Sequence, residues 1–296
     1  EKPVPDEVFA YFRRQFHYDR RPLDAVTISD QSIPSCRWQT VEIAAAYGGE
    51  RMQTHLFLPE RAQPPYQTVV LFPGSLALHT RLFNPSEFRR IDFLVKSGRA
   101  VILPVYKGTF ERTSNVDSDY PSQSTAYKDH LIMWAKDLGR AIDFVESRED
   151  LDATRIAYFG VSWGGALGAI LPAIEPRIKL NILYVAGLSF QASLPESDQM
   201  NYVTRVTQPT LMLNGESKPL LPAPLEVLGE KEALVTLHEG RYHQVRRMFA
   251  AADNHVVSLR RLSIGGLSLP TDLAEGEWRE LAPEEPDAIF AKGDSE

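Results

Sequence analysis

Apolar and polar residues follow one another along most of the chain in an order that predicts alternating strands and helices. Residues 40–46 and 52–58 alternate apolar and polar side chains on either side of Gly48 and Gly49. This period of two predicts an antiparallel strand pair at a sheet edge. Short continuous apolar runs recur further along, and such runs are typical of strands buried on both faces. The runs are residues 68–72, 100–105, 155–161, 180–185 and 210–213.

Apolar residues at helical spacing separate these runs. Within residues 124–147, Leu131, Trp134 and Leu138 fall on one face of a helix. A second apolar helix is predicted over residues 164–171, directly after a strand. Strands and helices in this order are typical of a mostly parallel sheet with helices on both faces. The sequence therefore predicts an α/β fold over residues 1–216.

The strand predicted at residues 155–161 runs into Gly160-Val161-Ser162-Trp163-Gly164, which matches the pattern G-x-S-x-G. A serine at a tight turn from strand to helix is exposed, and small neighbours let the backbone pass. The backbone N–H of Trp163 then lies at a helix start, where it stabilises a developing oxyanion. We predict that Ser162 is a nucleophile and that Trp163 is one oxyanion donor.

A second oxyanion donor is expected in the loop after the strand at residues 68–72. This loop reads Phe72-Pro73-Gly74-Ser75-Leu76, and the backbone N–H of Ser75 or Leu76 is the candidate. An ordinary Pro-Gly turn without a catalytic role is the alternative. The direction of the backbone matters more here than the identity of the side chains.

These motifs resemble those of the α/β-hydrolase family, near its dienelactone hydrolase and acyl-peptidase branches. The resemblance covers residues from about 40 to 216. It rests on F-P-G-S after the third strand, G-V-S-W-G-G at the turn and P-T-L-M-L-N-G at the seventh strand. It implies an α/β-hydrolase sandwich with a mostly parallel central sheet and a triad in the chain order nucleophile, acid, histidine. Such chemistry needs neither a metal nor a cofactor.

The acid departs from the family pattern. Members of the family usually carry it a few residues beyond the Asn-Gly of the seventh strand, but this chain has Lys218 where an aspartate is expected. Glu216 follows that strand directly and is the predicted acid. Glu196 and Asp198, on the loop after the sixth strand, are the alternatives. Carboxylates in such positions are more often solvated loop charges than triad members.

The C-terminal part carries a different set of motifs. It contains K-P-L-L-P-A-P-L-E-V-L, E-G-R-Y-H-Q-V-R-R-M-F-A-A, N-H-V-V-S-L-R-R-L-S-I-G-G-L-S-L and G-E-W-R-E-L. Residues 217–285 thereby resemble the C-terminal part of the RsuA-like ribosomal pseudouridine synthases, which implies an α+β segment in place of the hydrolase C-terminus. The chain looks like a chimaera joined between Leu213 and Ser217. Synthases of this kind attack with an aspartate in a Gly-Arg-Leu-Asp segment that this sequence lacks, so synthase activity is not expected.

The base of the implied triad must follow Ser162 in the sequence. The histidines that do so are His238, His243 and His255. Hydrolases of this family present the histidine on a turn after the eighth strand, and Glu239-Gly240-Arg241-Tyr242-His243 resembles that turn. Residues 233–237 are a candidate for the eighth strand itself. We predict His243 as the base, with His238 as the alternative. It also stays open that His243 serves the synthase-like motif instead and that His238 is an ordinary surface residue of a strand.

The predicted organisation has three parts. Residues 1–216 form the hydrolase core, residues 217–285 form the synthase-like segment that is a candidate to complete the sheet, and residues 286–296 form a polar tail. No apolar run reaches the roughly 18 residues of a membrane span, so no membrane partner is expected. Cys36 is the only cysteine, which leaves no internal disulfide and is typical of the reducing cytoplasm.

The net charge of the chain limits which partners are expected. The formal net charge of -7 gives no overall attraction to nucleic acid or to an anionic membrane. The arginines of the synthase-like motifs are interpreted as a solvated basic face, so RNA is not an expected partner. They are Arg241, Arg246, Arg247, Arg260 and Arg261.

Taken together, the motifs predict a serine carboxylesterase that cleaves short-chain, small-molecule esters through an acyl-enzyme on Ser162. The polar stretch at residues 109–124 suits a loop over a pocket better than an apolar lid, which disfavours lipid substrates. The alternative is a catalytically impaired fusion whose C-terminal segment keeps RNA-binding character. The sequence leaves the oligomeric state open.

Overall fold

The computed structural model describes residues 2–84, 92–116, 118–189, 191–214, 221–240, 244–252 and 254–290. The chain divides into two compact units, residues 1–215 and residues 216–296. We call them the N-terminal unit and the C-terminal unit, and each is described by itself.

The N-terminal unit is built on one eight-stranded sheet. Its strands are β1 (Val26–Ile33), β2 (Cys36–Ala44), β3 (Arg51–Pro59), β4 (Tyr66–Phe72), β5 (Ala100–Pro104), β6 (Leu151–Val161), β7 (Ile178–Tyr184) and β8 (Thr210–Leu213). They lie in the order β1-β2-β3-β5-β4-β6-β7-β8. The pairs from β1 to β5 are antiparallel, and the pairs from β5 through β4 to β8 are parallel. The predicted α/β class with a mostly parallel sheet is confirmed.

Helices connect these strands. They are α1 (Asp6–Arg14), α2 (Leu76–His79), α3 (Asp92–Lys96), α4 (Thr125–Glu146), α5 (Trp163–Leu167), α6 (Leu171–Ile174) and α7 (Met200–Val203). The hydroxyl of Ser124 caps α4 by accepting a hydrogen bond from the Tyr127 N–H at 3.1 Å. The single helix predicted over residues 164–171 is wrong: two short helices, α5 and α6, lie there. Pro172 has no N–H and is tolerated only because it lies in the first turn of a new helix.

Apolar clusters cover both faces of the sheet. Along β4, Val70 and Phe72 enter one cluster, which also contains Trp134 of α4. Val69 and Leu71 enter the other cluster. Successive side chains of a strand point to opposite faces, so a strand that is buried on both faces must be apolar at every position. This explains why the continuous apolar runs of the sequence became the central strands.

The C-terminal unit combines short strands and helices. Its described elements are β9 (Leu225–Gly229), β10 (Glu232–Val235), α8 (Gln244–Ala251), β11 (Ser263–Ile264), β12 (Leu267–Ser268) and α9 (Glu285–Phe290). This is the α+β content that the sequence predicted. No helix in the described parts of the chain is long and apolar enough to cross a membrane.

Two expectations for this unit need correction. The strand expected to become the eighth of the hydrolase sheet pairs instead with β9 in a separate two-stranded sheet. The two strands are adjacent in sequence, and a short connection favours a hairpin. Residues 286–290, expected to belong to a polar tail, lie in α9, where the Ala288 carbonyl accepts from the Gly266 N–H at 2.8 Å.

Candidate active site

Ser162 occupies a strained turn between β6 and α5. Its φ of 51° and ψ of -106° place a non-glycine residue in a region that L-amino acids rarely adopt. Two hydrogen bonds hold the turn: the Ser162 N–H donates to the Tyr184 carbonyl at 2.8 Å, and the Ser162 carbonyl accepts from the Ala166 N–H at 2.8 Å. The residue is exposed at the carboxyl end of β6. This is the geometry expected of a nucleophile at the turn predicted from G-x-S-x-G.

Glycines on either side of Ser162 make the turn possible. A Cβ atom on Gly164 would lie 2.3 Å from the Phe72 carbonyl oxygen, and one on Gly160 would lie 2.3 Å from the Gly164 carbonyl oxygen. Both distances are far below van der Waals contact, so only glycine fits. The hydroxyl of Tyr158 donates to the same Gly164 carbonyl at 2.6 Å and holds the start of α5 against β6.

The loop after β4 lies directly against this turn. The Gly164 N–H donates to the Pro73 carbonyl at 3.1 Å. The position that a Cβ atom would take on Gly74 is 3.6 Å from the Cβ of Ser162. Ser75 then precedes the first residue of α2. The fold thus brings the loop of Ser75 and Leu76 beside Ser162, and its role as a second oxyanion donor stays a prediction.

Trp163 contributes to this arrangement through its backbone rather than its side chain. It is the first residue of α5, where a backbone N–H has no acceptor within the helix. Its indole is buried, and its ring makes edge contacts with Phe72 at 4.9 Å and with Trp134 at 4.8 Å between centroids. The side chain therefore anchors α5 in the core, and the N–H lies next to Ser162.

The predicted acid and base, Glu216 and His243, lie outside the described residues. The alternative base His238 is described and exposed, in the C-terminal unit. The sequence has no histidine between Ser162 and Asn214. A base that follows the nucleophile must therefore come from the chain beyond residue 214.

Local hydrogen bonds hold the loop after β7, which carries the alternative acids Glu196 and Asp198. The Asp198 carboxylate accepts from the Met200 N–H at 2.9 Å, at the start of α7. The Glu196 carbonyl accepts from the Tyr202 hydroxyl at 2.6 Å. These bonds give the segment a structural role.

A buried carboxylate that the sequence did not single out holds the loop after β5. Asp137 of α4 is fully buried and lies 2.6 Å from the guanidinium of Arg112. It also accepts from the Lys107 N–H at 2.9 Å and from the Tyr47 hydroxyl at 3.0 Å. The only signal in the sequence was a carboxylate next to Leu138, on a helix whose neighbouring positions face the core.

The loop that Asp137 holds reaches the candidate oxyanion loop. Within it, the Phe110 N–H donates to the Ala77 carbonyl of α2 at 2.9 Å. Helix α2 begins directly after Ser75. Asp137 and Arg112 therefore support, from the core, the position of the backbone beside Ser162.

Two histidines of the N-terminal unit are tied into its interior. Burial lowers the pKa of His55 to about 4, so this ring is neutral near pH 7. The Nε2 atom of His130 lies 3.0 Å from the Ser114 hydroxyl, and its Nδ1 atom lies 2.8 Å from the Ala126 carbonyl oxygen. The burial of His55 and the hydrogen bonds of His130 indicate that both rings have structural roles. Among the described residues, no group of three or more His, Cys, Asp or Glu side chains is placed to hold a metal ion.

Solved structures of esterases share this fold. An acetyl xylan esterase from a Paenibacillus species superposes with a TM-score of 0.52 at 22% identity, over 71% of this chain and 80% of that one. Acetyl xylan esterase 1 from a Thermoanaerobacterium species gives a TM-score of 0.55 at 14% identity, over 72% of this chain and 79% of that one. Identities this low establish the fold alone. The chain has an α/β-hydrolase fold, as its motifs indicated.

Curated relatives match a shorter part of the chain. Ribosomal small subunit pseudouridine synthase A of Vibrio cholerae is 42% identical over 102 residues, which are 34% of this chain and 44% of that enzyme. The enzyme of the same name from Escherichia coli is 52% identical over 75 residues, 25% of this chain and 32% of that enzyme. The chain thus spans less than half of these relatives. No protein-family model matches the chain.

The two comparisons together are those expected of a chimaera. The larger share of the chain has the fold of esterases, and a fragment of it is similar in sequence to pseudouridine synthase A. This agrees with the two resemblances carried by the motifs on either side of residues 213–217.

Proposed function

We propose that the chain is a serine carboxylesterase that acts on short-chain, small-molecule esters through Ser162. One observation carries the proposal: Ser162 is exposed in a strained turn at φ 51°, with the Gly74 loop packed against it. Strain of this kind persists where the surrounding structure enforces it and is typical of functional sites. The α/β-hydrolase fold supports the same conclusion.

In the proposed reaction, the Ser162 hydroxyl attacks the ester carbonyl while a histidine takes its proton. The backbone N–H groups of Trp163 and of Ser75 or Leu76 stabilise the oxyanion of the tetrahedral intermediate. The histidine returns the proton to the leaving alcohol, and the acyl group stays on Ser162. Water, deprotonated by the same histidine, then releases the acid and regenerates the serine.

His243 is the proposed base, His238 is its alternative, and Glu216 is the proposed acid. This assignment rests on their order in the sequence after Ser162. Loss of an orienting acid lowers turnover by about 10⁴-fold in a serine triad, yet the oxyanion hole retains part of the catalysis. A weak esterase is therefore the expected outcome if Glu216 fails to reach the histidine.

The test is hydrolysis of p-nitrophenyl esters of graded chain length by the intact chain and by Ser162→Ala, His243→Ala and His238→Ala. We expect activity on acetate and butyrate esters, its loss in Ser162→Ala, and its loss in one histidine variant only. Ser75→Ala is the matched control, because a backbone donor survives removal of its side chain. Equal activity of the intact chain and Ser162→Ala on every ester would contradict the proposal.

The similarity to pseudouridine synthase A favours one other function, RNA binding by the C-terminal unit. The basic residues Arg246 and Arg247 lie in α8. Binding that depends on phosphate contacts weakens steeply with salt. Affinity for a ribosomal RNA fragment that falls with salt, and that falls further in an Arg246→Gln, Arg247→Gln variant, would support this alternative. The net charge of -7 opposes it.

A further inference from the structure

The loop between β5 and α4 lines a cavity of the N-terminal unit. The cavity encloses about 260 Å³, and its lining also includes the first turns of α4 and Gln191, in the loop after β7. A protein cavity of about 150 Å³ holds a benzene ring, so this one has room for a six-membered ring. The polar stretch at residues 109–124 thus borders a cavity that has no role so far in the proposed reaction.

The cavity lies at the same edge of the sheet as Ser162. Strands β5, β4, β6 and β7 are neighbours in the sheet and run parallel, so the loops that follow them leave from the same edge. Ser162 follows β6, and the Gly74 loop follows β4. The two loops that line the cavity follow β5 and β7, and they therefore flank the loops of Ser162 and Gly74 on either side.

Hydrogen bonds tie both of these flanking loops to the candidate catalytic turns. In the loop after β5, the Phe110 N–H donates to the Ala77 carbonyl of α2 at 2.9 Å. In the loop after β7, the Ser189 N–H donates to the Gln199 side chain at 2.7 Å, and the Gln199 amide donates to the Ala166 carbonyl of α5 at 2.7 Å. Each loop is therefore fixed to one of the two helices that begin at the proposed oxyanion donors.

A short path of aromatic rings leads from the cavity to Trp163. His130 lines the cavity, and its ring lies 5.9 Å from that of Trp134 between centroids. Trp134 lies 4.8 Å from the ring of Trp163, the residue after Ser162. Two ring contacts thus separate the wall of the cavity from the residue next to the nucleophile, and one substrate can extend across this span.

The lining of the cavity is polar and uncharged. None of the described residues that line it is Asp, Glu, Lys or Arg. Hydroxyl and amide groups that both donate and accept hydrogen bonds lie along it, as the hydroxyl groups of a substrate would require. They belong to Asn115, Ser118, Tyr120, Ser122, Ser124 and Gln191, each of which is exposed or half-buried.

Two further features narrow the ligand. Burial and the nearby carboxylate of Asp119 raise the pKa of the Tyr127 hydroxyl, which lines the cavity. A negative charge so close to the lining opposes an anionic ligand. The side chain of Tyr120 is 59% exposed and offers an aromatic ring as an apolar contact, a common complement to polar groups in small-molecule sites.

We propose that this cavity is the subsite for the alcohol part of the ester, and that the alcohol is an uncharged ring with several hydroxyl groups. We call it the alcohol subsite. The assignment rests on the proposed function, because the acyl group expected on Ser162 is short and leaves the larger part of the substrate to the alcohol. A lining built to bond hydroxyl groups rejects an analogue that lacks them, since the polar groups of the protein then lose water without gaining partners.

The first experiment compares two acetate esters whose alcohols share a ring size and differ in their hydroxyl groups. One is methyl glucopyranoside acetylated at its primary hydroxyl, and the other is cyclohexylmethyl acetate. We expect the kcat/KM of the intact chain to be at least about 10-fold higher for the glucoside, the effect of one or two hydrogen bonds. Tyr120→Ala and Gln191→Ala should each lower this ratio by about 3- to 10-fold. Both residues are exposed, so both variants should fold.

Tyr11→Ala is the matched control for these variants. Tyr11 is 66% exposed on α1 and does not line the cavity, so its loss should keep the ratio of the intact chain. A substitution that merely perturbs the fold lowers the hydrolysis of both esters alike. The ratio therefore separates the alcohol subsite from a structural role of the same residues.

A second experiment separates the alcohol subsite from esterase activity. Saturation-transfer NMR of the full chain carrying Ser162→Ala measures the binding of methyl glucopyranoside without turnover. We expect saturation transfer to the glucoside and its loss when Tyr120→Ala is added. A chain inactive on p-nitrophenyl acetate would contradict the proposed function, whereas this binding measurement would still report on the cavity.

Three results would overturn the proposal. The first is a ratio near one, or a preference for cyclohexylmethyl acetate, in the intact chain. The second is a ratio that Tyr120→Ala and Gln191→Ala both leave unchanged. The third is the absence of saturation transfer to methyl glucopyranoside at a high concentration of this ligand.

Discussion

The two units of the chain differ in what they bury. In the N-terminal unit, side chains such as Trp134, Leu138 and Ile142 are completely buried between α4 and the sheet. Among the described residues of the C-terminal unit, no hydrophobic side chain is buried, and Gln244 is the one buried residue. Full burial of one large apolar side chain contributes about 1.5 to 3 kcal/mol, so the first unit has a source of stability that is missing from the described residues of the second.

A segment can therefore be similar in sequence to a known protein without burying its apolar side chains. A stretch of 102 residues is 42% identical to the Vibrio cholerae synthase, yet the chain covers only 44% of that enzyme. Local features remain, such as the hairpin of β9 and β10, and an isolated hairpin is at best marginally stable in water.

The largest expected effect comes from truncating one tryptophan in each unit. Trp134→Ala removes a completely buried ring and should lower the free energy of unfolding by about 3 to 5 kcal/mol. Trp278→Ala changes a ring that is 81% exposed and should lower it by less than about 0.5 kcal/mol. Urea unfolding followed by far-UV circular dichroism measures both. Similar losses in the two variants would mean that the C-terminal unit has a core of its own.

A pH titration sharpens the comparison within the N-terminal unit. Burial lowers the folded-state pKa of His55 from 6.5 to about 4, because the charged ring is poorly solvated. The neutral ring is favoured in the fold, so its contribution is complete above pH 6.5 and is lost as the pH falls toward 4. The loss should reach about 3 kcal/mol.

The measurement is the free energy of unfolding at several pH values for the intact chain and for His55→Gln. The variant should lose this part of the pH dependence, whereas His238→Gln, in the exposed part of the C-terminal unit, should retain it. An identical pH profile for the intact chain and His55→Gln would show that His55 does not titrate with folding.

A smaller effect is expected from adding one methyl group in each unit. In Gly164→Ala the new Cβ would lie 2.3 Å from the Phe72 carbonyl oxygen, so the turn at Ser162 must shift. We expect a loss of about 1 to 3 kcal/mol together with a loss of esterase activity. Gly240→Ala meets nothing within 4 Å and should leave thermal unfolding unchanged. Retained stability and activity in Gly164→Ala would contradict the tight packing of the turn.

The central strands of the fold were predictable because burial on both faces leaves a continuous apolar run, as in β4 and β5. Strand β1 was not predicted, because most of its residues are exposed and its polar side chains show no buried face. The break between α5 and α6 depends on where Pro172 falls in a helix, which apolar spacing alone does not reveal.

The candidate site divides in the same way. Ser162, Trp163 and the loop of Ser75 are close in sequence to strands, so motif and topology together predicted their proximity. Asp137 was missed because its role depends on Arg112 and Tyr47, which lie 25 and 90 residues away in the sequence. The acid and base remain predictions, since their approach to Ser162 depends on how a foreign C-terminal segment follows β8.

Hydrogen exchange of the intact chain, followed by mass spectrometry of its peptides, tests the difference between the two units most directly. Amide protection reports the free energy of local opening, which rises toward the global value in a packed core. We predict slow exchange in β2 to β7 and in α4, and rapid exchange throughout residues 221–290. Protection in residues 221–290 as strong as that of the central strands would contradict the account, because it would require a buried core in the C-terminal unit.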